Sequence, residues 1–341
     1  MTVSLTIVVI AIIIALLFDV INGFHDAANS IATIVSTKVL SPRLAVLWAA
    51  FFNFIAMFIF APKVADTIAK IIIIDPKDTA FLWVVISGLI GAIVWDLLTW
   101  WWGLPTSSSH ALLGGLAGAG LAYKGVDIIR WHKLGESLAF IPLAPILGMA
   151  IAFVFMIIVY WIFRKFSPLK VDKIFRKGQL VSAALYSIGH GGNDAQKTMG
   201  MIVALLVAAN IYSPDIQLSF ADWHTAWIII GCHLAMAIGT AMGGWKIVKT
   251  MGMKLTKLKP VHGFVAETAG AATIFLATSL GIPVSTTHTI AGSIVGVGST
   301  TNARSIKWKV MGRMLIAWFV TIPCSGIVAA LSFWLYSAIA M

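Results

Sequence analysis

Long apolar runs and short polar interruptions alternate along the whole chain. The apolar stretches lie near 3–21, 26–37, 43–61, 81–103, 106–123, 138–163, 180–210, 224–245, 262–281, 283–299 and 314–338. A helix that crosses a bilayer needs about 20 residues, and several of these runs are shorter. The short ones begin or end at four polar segments. The pattern therefore predicts broken helices or re-entrant hairpins, since non-helical backbone is tolerated at membrane depth where it lines a protein cavity. The first run, Val3 to Ile21, lacks a charged leader and a small-residue cleavage site and continues into a polar motif, so it reads as mature membrane helix.

Composition identifies the solvent. Hydrophobic residues make up 60% of the 341 residues and charged residues only 11%, with a mean hydropathy of +0.95. A soluble domain carries about 25% charged residues, so lipid must face most of this chain. The fold class that follows is an all-α polytopic membrane protein. Cys232 and Cys324 both fall in apolar runs, and two such thiols offer neither a disulfide framework nor a metal-ligand spacing.

The net charge of +11 invites a nucleic-acid reading, but its distribution argues for loop anchoring instead. Segments 38–43, 164–178, 246–260 and 300–313 hold 17 of the 24 Lys and Arg residues. The loops 62–79 and 124–137 carry bases offset by acids, and 211–223 carries only Asp215 and Asp222. By the positive-inside rule the first group is cytoplasmic and the second external. Threading the chain between these sides places both termini outside and reverses every side between the halves. The expected organisation is a first repeat at 1–163, a basic cytoplasmic linker at 164–178 and a second repeat at 179–341. Inverted repeats of this kind are a common plan of secondary transporters.

The four polar segments form two pairs in the same order. Residues 22–33 read Asn-Gly-Phe-His-Asp-Ala-Ala-Asn-Ser-Ile-Ala-Thr, and residues 189–198 read Gly-His-Gly-Gly-Asn-Asp-Ala-Gln-Lys-Thr. Leu-Pro-Thr-Ser-Ser-Ser-His at 104–110 answers Ile-Pro-Val-Ser-Thr-Thr-His at 282–288. The step from Asp26 to Pro105 is 79 residues, and from Asp194 to Pro283 it is 89. A carboxylate inside a span costs at least about 2.5–3.5 kcal/mol, so Asp26 and Asp194 should face a cavity and a partner. Each follows a glycine, which predicts a helix break with the Asp capping a half-helix. The Pro-(Ser/Thr)-His segments read as helix starts. Free N–H groups and hydroxyls at such a start bind an anion without a formal positive charge.

Gly-Phe-His-Asp-Ala-Ala-Asn and Gly-Gly-Asn-Asp-Ala-Gln-Lys resemble the two signature repeats of the PiT family of inorganic phosphate transporters. The Ser/Thr-His segments resemble that family's paired phosphate-binding hairpins, and the resemblance runs from residue 18 to the final helix. It implies symport of inorganic phosphate with a proton or sodium ion, a homodimer, and a place in the plasma (cytoplasmic) membrane. By position, Asp26, Asn29, Asn193 and Asp194 would form the polar core shared by substrate and coupling ion, and Ser107, Ser108, Ser285 and Thr286 would hold phosphate oxygens. Asp26 and Asp194 would be the metal ligands if sodium is the partner. His25 stands where the usual first signature has Asn, Gln196-Lys197 replaces Ala-Asn in the second, and Asn53 lies at or near a Glu of sodium-coupled members. These variants resemble the bacterial proton-coupled branch, whose members often carry phosphate as a neutral metal complex. A titratable His25 and few carboxylates fit protons better than sodium.

Lys197 could neutralise phosphate or pair with Asp194 or Asp26, or it could snorkel to the interface. Glu267, among small residues, could face the same cavity and carry a proton. Asp96 could be a hydrogen-bonded structural acid. His190, His233 and His262 read as interhelical donors, His132 and His224 as loop residues, and Trp100–Trp102 as an interfacial belt. No cofactor is expected beyond the coupling ion. Sulfate is the rival substrate, but a carboxylate beside the anion favours HPO4²⁻, which can donate a hydrogen bond. An intramembrane hydrolase using Ser108 and His110 is disfavoured, because Ser-x-His places the side chains about 200° apart on a helix.

Overall fold

The computed structural model describes residues 5–72 and 80–340. Val3, the 73–79 segment with Lys77, and both extreme termini lie outside the described residues. Twelve α-helices follow in order: α1 Leu5–Ser36, α2 Pro42–Ile55, α3 Lys63–Ala69, α4 Ala80–Trp102, α5 Ser108–Lys124, α6 Trp131–Phe163, α7 Pro168–Ala208, α8 Trp223–Met242, α9 Trp245–Lys249, α10 Pro260–Ser279, α11 Thr286–Asn302 and α12 Trp308–Ala340. Among the described residues six of these (α1, α4, α6, α8, α10 and α12) are long and apolar enough to cross a membrane. The all-α membrane class expected from composition is the one observed. The basic segment 164–178 is a short turn followed, from Pro168, by the first turns of α7.

Local sequence explains the ends. Pro42, Pro168 and Pro260 occupy first helical turns, where a missing N–H costs nothing. α4 and α10 both stop at a glycine with φ near +70°, Gly103 and Gly281. At each, the next residue's N–H reaches back five residues (Leu104 to Thr99, Ile282 to Ala277) and the glycine's own N–H reaches back three. This Schellman closure favours glycine because its left-handed residue carries no Cβ. Four extended residues after each glycine lead into α5 and α11, so α4–α5 and α10–α11 are the two hairpins.

Packing exchanges the halves. α5 lies against α12 and α4, while α11 lies against α6 and α10; α1 packs on α8, and α7 packs on α2 and α3. Each hairpin's short helix thus lies against the last helix of the other half. The core around α1, α4, α5 and α7 is one apolar cluster and that around α6, α10 and α11 another.

One expectation is corrected here. Neither Asp26 nor Asp194 caps a half-helix: α1 and α7 run unbroken through both motifs. The breaks lie in the helices packed over the motifs. α2 with its 3₁₀ extension to Phe58 meets α3 at 85°, and α8 gives way at Gly243-Gly244 to α9 and a π-helical turn at Thr250–Lys254. The motif glycines serve close approach instead. A Cβ on Gly191 would lie 2.5 Å from the Asn53 carbonyl oxygen, one on Gly23 would run into that of Met236, and Gly192 faces the Phe60 ring.

Candidate functional site

The four polar segments meet. Ser107 and Ser285 cap α5 and α11, accepting from the His110 and His288 amides at 3.3 and 3.2 Å. The first residue of each helix then reaches the Asp of its own half: Ser108 donates to Asp26 at 3.4 Å, and Thr286 donates to Asp194 at 3.2 Å. The residue before each Asp clamps its own hairpin. His25 bonds Asp26 at 2.8 Å and Thr99 at 3.1 Å, with Thr106 at 3.4 Å. Asn193 donates to Thr278 at 2.9 Å and to the Ile282 carbonyl at 3.3 Å, and accepts from the Val284 amide.

The residue three after each Asp crosses to the other half. Asn29 donates to Thr286 and Thr287 at 3.2 and 2.9 Å. Lys197 donates to Ser109, to Asp194 and, at 2.9 Å, to the Val284 carbonyl. Ser109 itself donates to the Val284 carbonyl at 3.3 Å. His110 and His288, the last residues of the two hairpin motifs, pack edge to face with ring centroids 4.7 Å apart. Every one of these side chains is at most 5% exposed. A carboxylate so buried is stable only with partners, and here hydroxyls, imidazoles and one ammonium supply them.

The two aspartates also meet each other. Ligand atoms of Asp26, Asp194 and His190 all lie within 4.8 Å of one another, a donor set that a cation could bridge. His190 Nε2 stands 3.3 Å from Asp194, and its Nδ1 stands 3.3 Å from Asn53, which in turn donates to Thr240 at 2.9 Å. His190 was expected to be an ordinary interhelical donor, but the structure puts it in the centre. The signal was present: on an unbroken helix, residues four apart share a face, and only the expected break concealed it. Thr99, Thr106, Thr287 and Tyr186 are further members that the sequence did not single out; Tyr186 donates to the Thr286 carbonyl at 2.9 Å.

Glu267 belongs to a different cluster. It accepts from Gln179 at 2.8 Å and Ser182 at 2.5 Å, and Gln179 accepts from Thr37. Its hydrogen bonds go to side chains of α7, with Thr33 of the first motif beside it. Asp96 is fully buried and faces Ser108 and His25. Lys197 is buried and bonded rather than snorkelling.

The α2–α3 corner is tied to α7 through Gln196. The Gln196 side chain accepts from the Val64 amide at 2.8 Å and donates to the Ala61 carbonyl at 3.1 Å. A cavity of about 890 Å³ beside α3, lined by Lys63, Lys70, Arg130 and Asp215, includes no motif residue, while a neighbouring one of about 470 Å³ reaches Gln196.

Comparison with known proteins follows this geometry. Residues 22–329 match the model of the phosphate transporter family. A probable low-affinity inorganic phosphate transporter of Rhizobium meliloti (strain 1021) is 49% identical over 97% of this chain and 97% of its own length. One of Bacillus subtilis (strain 168), described in the same words, is 42% identical over 99% of this chain and 100% of its own. A solved structure described as the sodium-dependent phosphate transporter has the same fold, with a TM-score of 0.89 at 24% identity over 98% of this chain and 100% of the other.

Proposed function

Because the chain belongs to the phosphate transporter family, we propose that it imports inorganic phosphate across the cytoplasmic membrane by symport with a cation, through alternating access around one site shared by its halves. The observation that carries this reading is the convergence of two helix N-termini, each with a capping serine and a second hydroxyl that donates to the aspartate of its half, on two buried aspartates. N-terminal dipoles and hydroxyls attract a tetrahedral oxyanion, and the aspartates accept the proton that HPO4²⁻ carries and sulfate lacks. A site of dipoles rather than arginines also releases its anion, as turnover requires.

Ser107, Ser108, Ser285 and Thr286 are the hydroxyls assigned to phosphate, with Asn29 and Lys197 beside them. Asn193 keeps a supporting role, since its amide is spent on the hairpin. Asp26, Asp194 and His190 are the groups assigned to the coupling cation. A proton is the favoured partner, because each aspartate has an imidazole against it. Glu267 is assigned to a separate protonation step, given its distinct hydrogen-bond cluster. Repeats 1–163 and 179–341 with inverted topology, external termini, a homodimer and a metal–phosphate complex as cargo complete the proposal; recurrence of the same hydrogen bonds in both halves supports the first, and family resemblance the last two.

Labelled uptake into proteoliposomes tests the reading, with phosphate against sulfate and imposed proton against imposed sodium gradients. The proposal expects phosphate accumulation driven by the proton gradient and little sulfate uptake. Equal accumulation of both anions would replace it with a general oxyanion permease.

A further inference from the structure

Lys197 is the one place where the two halves differ in charge at matched positions of the site. Asn29 and Lys197 each lie three residues after the motif aspartate, and each reaches the second residue of the opposite half's short helix, Thr287 for Asn29 and Ser109 for Lys197. The first half presents a neutral amide whose carbonyl oxygen is buried without a partner. The second presents a primary amine with three oxygen partners: Asp194, Ser109 and the Val284 carbonyl.

The three oxygens suit an ammonium. A carboxylate and a backbone carbonyl can only accept. The Ser109 proton already goes to the Val284 carbonyl, which leaves its oxygen accepting as well. An ammonium, the ordinary form of a lysine, has three N–H donors that match these three oxygens one for one. Its three oxygens come from α7, α5 and the strand-like segment before α11, so the charge sits where both hairpins and a motif helix join. A carboxylate, a hydroxyl and a carbonyl are also the ligand types that a small hard cation takes.

We propose that the Lys197 ammonium is a tethered counter-cation that occupies the place of one mobile coupling ion, so that the protein moves one cation fewer per phosphate than a neutral residue at 197 would require. This deepens, and rests on, the symport reading above. The tethered charge holds Asp194 and both hairpins together through every cycle without being released with the cargo. Asn29 marks the corresponding place in the first half, where the unpartnered carbonyl oxygen is an acceptor for an ion that does move.

Two measurements test it, with Na⁺ as the probe. In proteoliposomes, the membrane potential that nulls labelled phosphate flux gives the charge moved per phosphate. Lys197→Asn, which installs the first half's residue, should raise that charge by one, whereas Lys197→Arg should leave it unchanged. In detergent, Lys197→Met should regain a few degrees of melting temperature as Na⁺ replaces N-methylglucamine at constant ionic strength, with no comparable gain for the wild type. An unchanged charge per phosphate in Lys197→Asn overturns the proposal, and so does a Lys197→Met protein no more sodium-responsive than the wild type. The melting arm needs no transport, so a wild type that failed to take up phosphate would sink the symport reading and leave the sodium response to judge the cage on its own.

Discussion

Asp194→Asn should abolish phosphate uptake, by at least ~100-fold, while the protein still inserts into the membrane. The reason is the number of partners that depend on one carboxylate. Asp194 accepts from Lys197 and Thr286, and His190 lies 3.3 Å away. Removing one member of a buried ion pair leaves the other uncompensated at a cost of about 3–5 kcal/mol, and each 1.4 kcal/mol is a factor of ten. Asp26→Asn should abolish uptake as well, since Ser108 and His25 would face a neutral amide in place of the charged acceptor they share. The two variants separate on stability. Asp26 faces groups that are uncharged or can become so, whereas Asp194 faces an ammonium, so Asp194→Asn should melt lower than Asp26→Asn. Uptake and melting in parallel check both statements, and wild-type uptake in either variant would contradict the shared site.

Gly191→Val should lower the melting temperature and cut uptake by at least about tenfold. A Cβ at Gly191 would lie 2.5 Å from the Asn53 carbonyl oxygen and 2.7 Å from its Cα, both backbone atoms of α2 that cannot rotate away. Overpacking costs about 1–3 kcal/mol and more where backbone must move. The displaced α2 also carries Asn53, which links His190 at 3.3 Å to Thr240 at 2.9 Å. Gly135→Ala is the control, because nothing lies within 4 Å of a Cβ there. Thermal unfolding and uptake of the two variants check the claim, and a Gly191→Val protein indistinguishable from the control would refute close packing of α7 on α2.

Much of this site was legible in the sequence because its parts are local. Proline followed by a capping serine announces a helix start wherever it occurs, and both hairpins begin as Pro105-Ser107 and Pro283-Ser285 predict. The duplicated order of the segments implied a common site, and Asp26 and Asp194 do meet. What failed was the meaning of glycine. A glycine pair before an Asp can end a helix or admit a neighbour, and only the neighbour decides. Gly191 and Gly192 admit Asn53 and Phe60, which lie more than 130 residues away along the chain. With the helix whole, His190 joins Asp194 by simple periodicity. Glu267 shows the converse limit: small residues around an acid foretell close packing, but its partners, Gln179 and Ser182, are fixed only by how α10 lies on α7.

The central claim is that residues from both halves build one anion site, and equilibrium dialysis of labelled phosphate against the purified protein tests it most directly. The account predicts one phosphate bound per chain, with affinity falling at least tenfold (about 1.4 kcal/mol) in Ser108→Ala and also in Thr286→Val. Two independent phosphates per chain, or a loss confined to the variant of one half, would contradict it.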